Sequence, residues 1–282
     1  MVKNKQIGSK QLRRFLAALA QAEKSAATLR KYRRDILTLM EFMSDQPVDK
    51  TRMIAYKAYL EQRYAQSSVN SMLSAANAFL RFLGMEDCRV KLLRRQTRVF
   101  CPDERELTRE EYFRLLHTAA AQGKTRLGLV LQTICATGIR VSELQFITIE
   151  AVKLGRAQVT LKGKSRVIFL PQQLCQVLTS YLEHQNRTDG PVFITSGGKP
   201  LDRSNIWSGM KKLCKDAQVA PQKVYPHNLR HLFARTFYSV DQDLVRLADI
   251  LGHSSIETTR IYTRESGREH ERKIAALGLV MN

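Results

Sequence analysis

Residues 155–171 read GRAQVTLKGKSRVIFLP. Two short runs rich in β-branched residues flank Lys162-Gly163-Lys164, and Pro171 closes the second run. This is the pattern of a β-hairpin. On either side of it the hydrophobic period is helical. Upstream, Thr108-Arg109-Glu110-Glu111 fits a capping box ahead of an apolar run whose helix ends near Gly123. Another helix begins near Thr125 and carries LGLVLQTICA; Thr137-Gly138 punctuates it, and IRVSEL resumes helically. Downstream, helical patterns return at about residues 172–184, 203–217, 227–238, 242–251 and 255–262. Helices interrupted by one small hairpin imply an α+β domain, mainly α, over residues 106–266.

Residues 1–84 carry helical periods only. Leu12, Phe15, Leu16 and Leu19 make one stripe. Leu29, Tyr32, Ile36, Leu37, Met40 and Met43 make a second, and its opposite face presents Arg30, Lys31, Arg33 and Arg34. Pro47 and Asp49 open a third helix through Met53, Tyr56, Tyr59 and Leu60. Ser67 or Ser68 is expected to cap a fourth, with Met72, Leu73, Ala76, Phe79, Leu80 and Leu83 inward and Gly84 as its stop. Four short amphipathic helices make a bundle with its own core. Residues 85–105 are basic and weakly periodic, and read as an interdomain linker. Residues 267–282 form a charged, then apolar tail, which could dock on a neighbouring subunit or pack on its own domain.

The chain of 282 residues holds 46 Lys+Arg against 26 Asp+Glu, a formal charge of +20. The excess is +12 over residues 1–100 and +8 over residues 101–282, so it is not one basic arm. Such a balance points to a polyanion held along a long surface. No apolar run approaches the length of a membrane span. MVKNKQIGSK lacks the apolar segment of a signal peptide, so a cytoplasmic location is expected. Cys88, Cys101, Cys135, Cys175 and Cys214 are odd in number and show no CxxC spacing, which argues against a disulfide framework or a zinc site.

Three motifs carry chemistry. In PHNLRHLF, Pro226 starts a helix that puts His227 and Arg230 on one face, suited to an anion. In ATGIRVSEL, Arg140 sits among apolar neighbours and needs a carboxylate or phosphate partner, with Glu143 three residues on. In ILGHSS and TRIYTR, His253 follows a Gly252 stop and Tyr262 lies among cationic residues, where positive charge favours a phenolate. Each has an ordinary structural reading when taken singly.

Together they occur in one order, Arg140, Lys162, His227, Arg230, His253, Tyr262. That order, with the words ATGIRVSEL, LKGKSRVIFLP, HNLRH, LGHSS and IYTR, resembles the tyrosine recombinases of the phage integrase and Xer type. The resemblance covers the catalytic half in order, and the helical first domain matches the family's core-binding domain in kind. It implies that Tyr262 attacks a DNA phosphodiester to give a 3′-phosphotyrosyl link and a free 5′-hydroxyl. Arg140 and Arg230 would clamp the non-bridging oxygens, and His227 would act as acid and base on the tyrosine proton. His253 would hydrogen-bond the phosphate, and Glu143 would hold Arg140. His231, the second His of HNLRH, reads as structural. The family's turn commonly reads Lys-Gly-x-Lys-x-Arg. Here it is one residue shorter, so Lys162 matches by its place before glycine while Lys164 remains the alternative proton donor to the leaving oxygen.

The resemblance further implies duplex DNA as partner, a dimer on each site and a tetramer in synapsis, with neither metal nor nucleotide cofactor. Arg30, Arg33, Arg34, Lys164 and Arg166 are candidate DNA contacts. Two other functions share the same residues: a type IB-like topoisomerase, and a non-catalytic DNA-binding regulator on the same fold.

Overall fold

The computed structural model describes residues 7–94, 106–161, 164–185, 187–253, 255–263 and 275–278. The chain divides into two compact units, residues 1–97 and 98–282.

The first unit holds four helices, α1 (Ser9–Gln21), α2 (Ala26–Met43), α3 (Lys50–Arg63) and α4 (Gln66–Phe82). Ser25 caps α2 by accepting from the Thr28 N–H, and Asp49 caps α3 through the Arg52 N–H at 2.7 Å. The start of α4 differs from the expectation. Ala65 occupies its N-cap, and Ser67 and Ser68 lie inside the first turn. The Ala65 carbonyl already accepts from the Ser68 and Val69 N–H groups, so neither serine stands at the cap. Phe15, Ile36, Leu39, Met53, Tyr56, Leu60, Leu73, Phe79 and Leu80 fill the core.

The expected linker is shorter at its start. Met85, Cys88 and Val90 are buried in this same core. Asn77 and Asn70 stand seven residues apart on one face of α4, and each pairs its amide with a backbone. Asn77 accepts from the Val90 N–H and donates to its carbonyl, at 3.0 and 2.7 Å. Asn70 does the same for Leu93 at 2.7 and 2.9 Å. Two asparagine amides thus stand in for a neighbouring strand and hold residues 89–94 as a strap. The rest of the linker, with Cys101, lies outside the described residues, as does most of the tail at 267–282.

The second unit opens with the expected capping box. Thr108 and Glu111 exchange side-chain-to-backbone bonds at 3.2 and 2.9 Å ahead of α5 (Arg109–Ala121). α6 (Thr125–Thr137) ends at Gly138, whose φ is +64°. A Cβ there would stand 2.4 Å from the Phe233 ring, so both conformation and space require glycine. A 3-10 turn (Val141–Phe146) and α7 (Ile149–Leu154) lead into the hairpin. Its strands β1 (Arg156–Leu161) and β2 (Lys164–Phe169) are antiparallel, with Val159 opposite Arg166. Ala157, Val159 and Ile168 face the core, while Val167 and Phe169 are exposed. Then follow α8 (Gln172–Glu183), α9 (Arg203–Leu213), α10 (Pro226–Val240), α11 (Leu244–Leu251) and α12 (Ile256–Arg260), closed by a 3-10 turn, Ile261–Thr263. Apolar side chains from α5 through α10 and both strands form one core.

Candidate active site

The site is organised by the C-terminal end of α11. The last four carbonyls of a helix have no partner within it. Here Gly252, in the left-handed conformation at φ +65°, turns the chain so that its N–H reaches the Asp249 carbonyl, while the His253 N–H reaches that of Ala248, both at 3.0 Å. The next three carbonyls each accept from a different arginine. Arg166 Nη1 donates to Ile250, Arg230 Nη2 to Leu251 at 2.8 Å, and Arg140 Nη2 to Gly252 at 3.5 Å. A helix C-terminus is the negative end of the macrodipole, so three cations gathered there are partly balanced by backbone alone.

Arg230 is the deepest of them, only 1% exposed. It also donates to the Gly138 carbonyl at 2.6 Å and meets His253 Nε2 at 2.8 Å. These bonds offset the cost of burying a guanidinium. Burial, then the neighbouring Arg140, pushes its pKa down to about 10, with Tyr262 and Glu143 acting the other way. It therefore stays cationic at neutral pH. Its buried Nε has no hydrogen-bond partner among the described residues.

Arg140 is held by Glu143, which is 2% exposed. One carboxylate oxygen accepts from Arg140 Nη1 at 3.1 Å, the other from the Arg140 backbone N–H at 2.7 Å. Arg140, Ser142, Asp202, Arg203, His227 and Arg230 line a cleft of about 330 Å³. His227 stands exposed on its wall one helical turn before His231. Its pKa is held below the ordinary value by desolvation, then by Arg230, Arg203 and Arg140.

Tyr262 is 7% exposed and rests between two imidazoles. The His231 ring meets it edge-on at 4.3 Å, and the His253 ring lies nearly parallel at 5.5 Å. Ala234, Leu247 and Leu251 complete the apolar side of its seat. His253 accepts from Arg230 at Nε2, so its proton sits on Nδ1 and is donated to the buried Thr259 hydroxyl at 2.8 Å. The pKa of His253 falls to about 4, through desolvation and then Arg230, Arg140 and Arg166. That of His231 also falls to about 4, through desolvation, His227 and Arg230. Both are neutral at pH 7.

A family model described as "Phage integrase family" matches residues 105–269, and "Phage integrase, N-terminal SAM-like domain" matches residues 12–87. The chain belongs to the phage integrase family. Tyrosine recombinase XerD of Xanthomonas campestris pv. campestris is 33% identical over 281 residues, spanning 89% of this chain and 86% of that one. Tyrosine recombinase XerA of Pyrococcus furiosus is 28% identical over 290 residues, spanning 100% and 98%. Among solved structures, a lambda integrase dimer bound to a COC' core site matches with TM-score 0.76 at 18% identity, over 93% of this chain and 97% of that one. XerH bound to difH in a pre-cleavage complex matches with TM-score 0.69 at 19% identity, over 95% and 84%. At such identities the structural likeness speaks for the fold. Family membership makes the chain a DNA strand-transferring enzyme of site-specific recombination, as the ordered motifs implied.

In this phage integrase-family chain, Arg140, Glu143, His227, Arg230, His253 and Tyr262 converge from separate segments. Lys162 lies outside the described residues, and Lys164 opens β2. Arg30, Arg33 and Arg34 are exposed on α2, though Arg34 also reaches the buried Asp35 at 3.2 Å. Arg166, a candidate DNA contact, is only partly exposed. It is 15% exposed, and its guanidinium is engaged by Glu143 at 2.6 Å and by the Ile250 carbonyl. The signal was present in the sequence, since Arg166 alternates with the inward-facing Ile168 of β2 and with the buried Leu170 just past its end. Two further residues went unread: Thr259, which orients His253, and Arg203, a cation at the start of α9 on the cleft wall.

Proposed function

We propose that Tyr262 is the nucleophile of a site-specific recombinase that cuts and rejoins duplex DNA. The phenol oxygen forms a bond to the scissile phosphorus and the bond to the 5′ oxygen breaks. This leaves a 3′-phosphotyrosyl enzyme that conserves the bond for religation. Arg140 and Arg230 hold the non-bridging oxygens, where charge grows in the transition state. His227 takes and returns the phenolic proton, and its depressed pKa keeps it a free base at neutral pH. As the anion arrives, His253 takes the tautomer protonated at Nε2 and donates from it to the phosphate, while its Nδ1 accepts from the Thr259 hydroxyl. Lys162, or Lys164 in its place, protonates the departing 5′ oxygen.

One observation carries this reading: a sheltered tyrosine beside Arg230, a buried arginine fixed in place by two backbone carbonyls and His253. Arg30, Arg33 and Arg34 supply phosphate contacts from the first unit, whose charge makes binding salt-dependent. The protein acts in the cytoplasm as a dimer on each site and a tetramer in synapsis. The lambda integrase structures, a dimer on a core site and a tetramer on a Holliday junction, support that assembly. Among the described residues no helix is long and apolar enough to cross a membrane.

The test is a suicide duplex carrying the crossover site, given to wild type and Tyr262→Phe. Wild type becomes covalently attached and the variant binds without attachment. Binding by both with attachment in neither would leave a DNA-binding regulator instead.

A further inference from the structure

We propose that Arg166 positions the phosphate-binding groups and does not itself meet DNA. This inference rests on the recombinase reading above. Three contacts place it. Its Nη2 donates to Glu143 Oε2 at 2.6 Å, the same oxygen that accepts the Arg140 backbone N–H. The other oxygen of Glu143 holds Arg140 Nη1. Arg166 is therefore the second cation of a buried carboxylate whose first cation is Arg140. Its Nη1 donates to the Ile250 carbonyl, in the run of acceptors that also receives Arg230 and Arg140. Its stem lies over Gly252, where a Cβ would stand 2.6 Å from Cδ and 2.8 Å from Nε.

One side chain on β2 thus ties the hairpin to the Arg140 turn and to the turn that presents His253. Without it, Glu143 keeps a single guanidinium partner and the Ile250 carbonyl loses its donor. A half-satisfied buried carboxylate pulls its remaining partner toward itself. That partner is Arg140, which the cleft needs at its wall. The charged and titratable groups facing Arg166 are Glu143, Arg140 and His253, the last of which feels its charge directly.

The experiment compares wild type, Arg166→Gln and Arg166→Lys on two suicide duplexes. One has the ordinary scissile phosphodiester. The other has an uncharged methylphosphonate there, which removes the negative charge that the arginines hold. Arg166→Gln is expected to slow Tyr262 attachment to the phosphodiester by about 10- to 100-fold, as a small misplacement of catalytic groups does. Attachment to the methylphosphonate falls far less, so the ratio of the two rates drops about tenfold. That ratio does not depend on how much of a preparation is folded. Arg166→Lys, which reaches one partner but cannot span both, lies between, and duplex affinity stays within about threefold.

An equal fall on both substrates, including complete loss of both, overturns the proposal by making Arg166 merely structural. Unchanged rates overturn it too. So does a large loss of affinity with normal rates at saturating DNA, which would restore Arg166 as a DNA contact. If wild type attaches to neither duplex, the recombinase reading itself fails, and this inference with it.

Discussion

The two units use arginine in opposite ways. On α2 of the first unit, Arg30, Arg33 and Arg34 stand in solvent around an apolar core they do not enter. In the second unit Arg230 is 1% exposed and the Arg166 side chain 15% exposed, each fixed to backbone carbonyls before any substrate arrives. An exposed guanidinium exchanges water for phosphate and gives affinity that salt can erode. A buried one has already lost its water and has little left to reorganise, which suits it to charge that appears only in a transition state. Residue type does not decide between the roles. Its phase against the hydrophobic period does.

Arg230→Ala tests the contrast most severely. It should slow covalent attachment by about 10²–10³-fold, the usual cost of one oxyanion donor, while duplex binding weakens far less. Comparable losses in rate and binding would place Arg230 with the α2 arginines. Glycine offers a second comparison. Gly138 and Gly84 both have positive φ, but a Cβ at Gly84 meets nothing within 4 Å, whereas one at Gly138 runs into Phe233. Left-handed strain costs about 1–2 kcal/mol at either site. Overpacking adds about 1–3 kcal/mol at Gly138 alone. Denaturant titration of Gly138→Ala and Gly84→Ala should show that difference, and equal losses would mean that the seat of Phe233 yields freely.

Replacing Arg30, Arg33 and Arg34 by alanine should flatten the plot of log affinity against log salt by up to about 0.9 for each arginine that meets a phosphate. Cleavage at saturating DNA should not change. Lys31 remains on Asp35 at 2.7 Å, so the buried carboxylate keeps a partner.

The smallest effect concerns pH. The His231 and His253 pKa values lie near 4 in the fold, below the ordinary 6.5. Between those limits the unfolded chain binds protons that the folded chain refuses, so stability falls as pH falls through that window and is level above it. His253→Gln removes one of the two groups. The drop in melting temperature from pH 7 to pH 5 should therefore be smaller, by a few degrees, than in wild type. An identical drop would show that His253 is not held neutral.

Much of this was legible in the sequence because it follows from period and punctuation. The hairpin, the Thr108 capping box, the Gly138 and Gly252 stops and the order of the site residues are all written in side-chain types at fixed spacings. What escaped has a common cause. Asn70 and Asn77 hold residues 89–94 through backbone groups, and the three arginines at α11 are sorted by carbonyls, which carry no letter. Arg166 was hidden differently: its basic neighbours drew attention to charge, and the alternation that turned it inward passed unused. Thr259 and Arg203 matter only for what the fold brings beside them.

The end of α11 has a consequence for the length of the chain as well as its chemistry. Successive residues of a helix are rotated by about 100°. One residue added to or taken from this eight-residue segment would swing every acceptor at its tip to a new bearing, and all three guanidinium groups would lose their moorings together. A conservative exchange within α11 can be absorbed by packing; a change of register cannot.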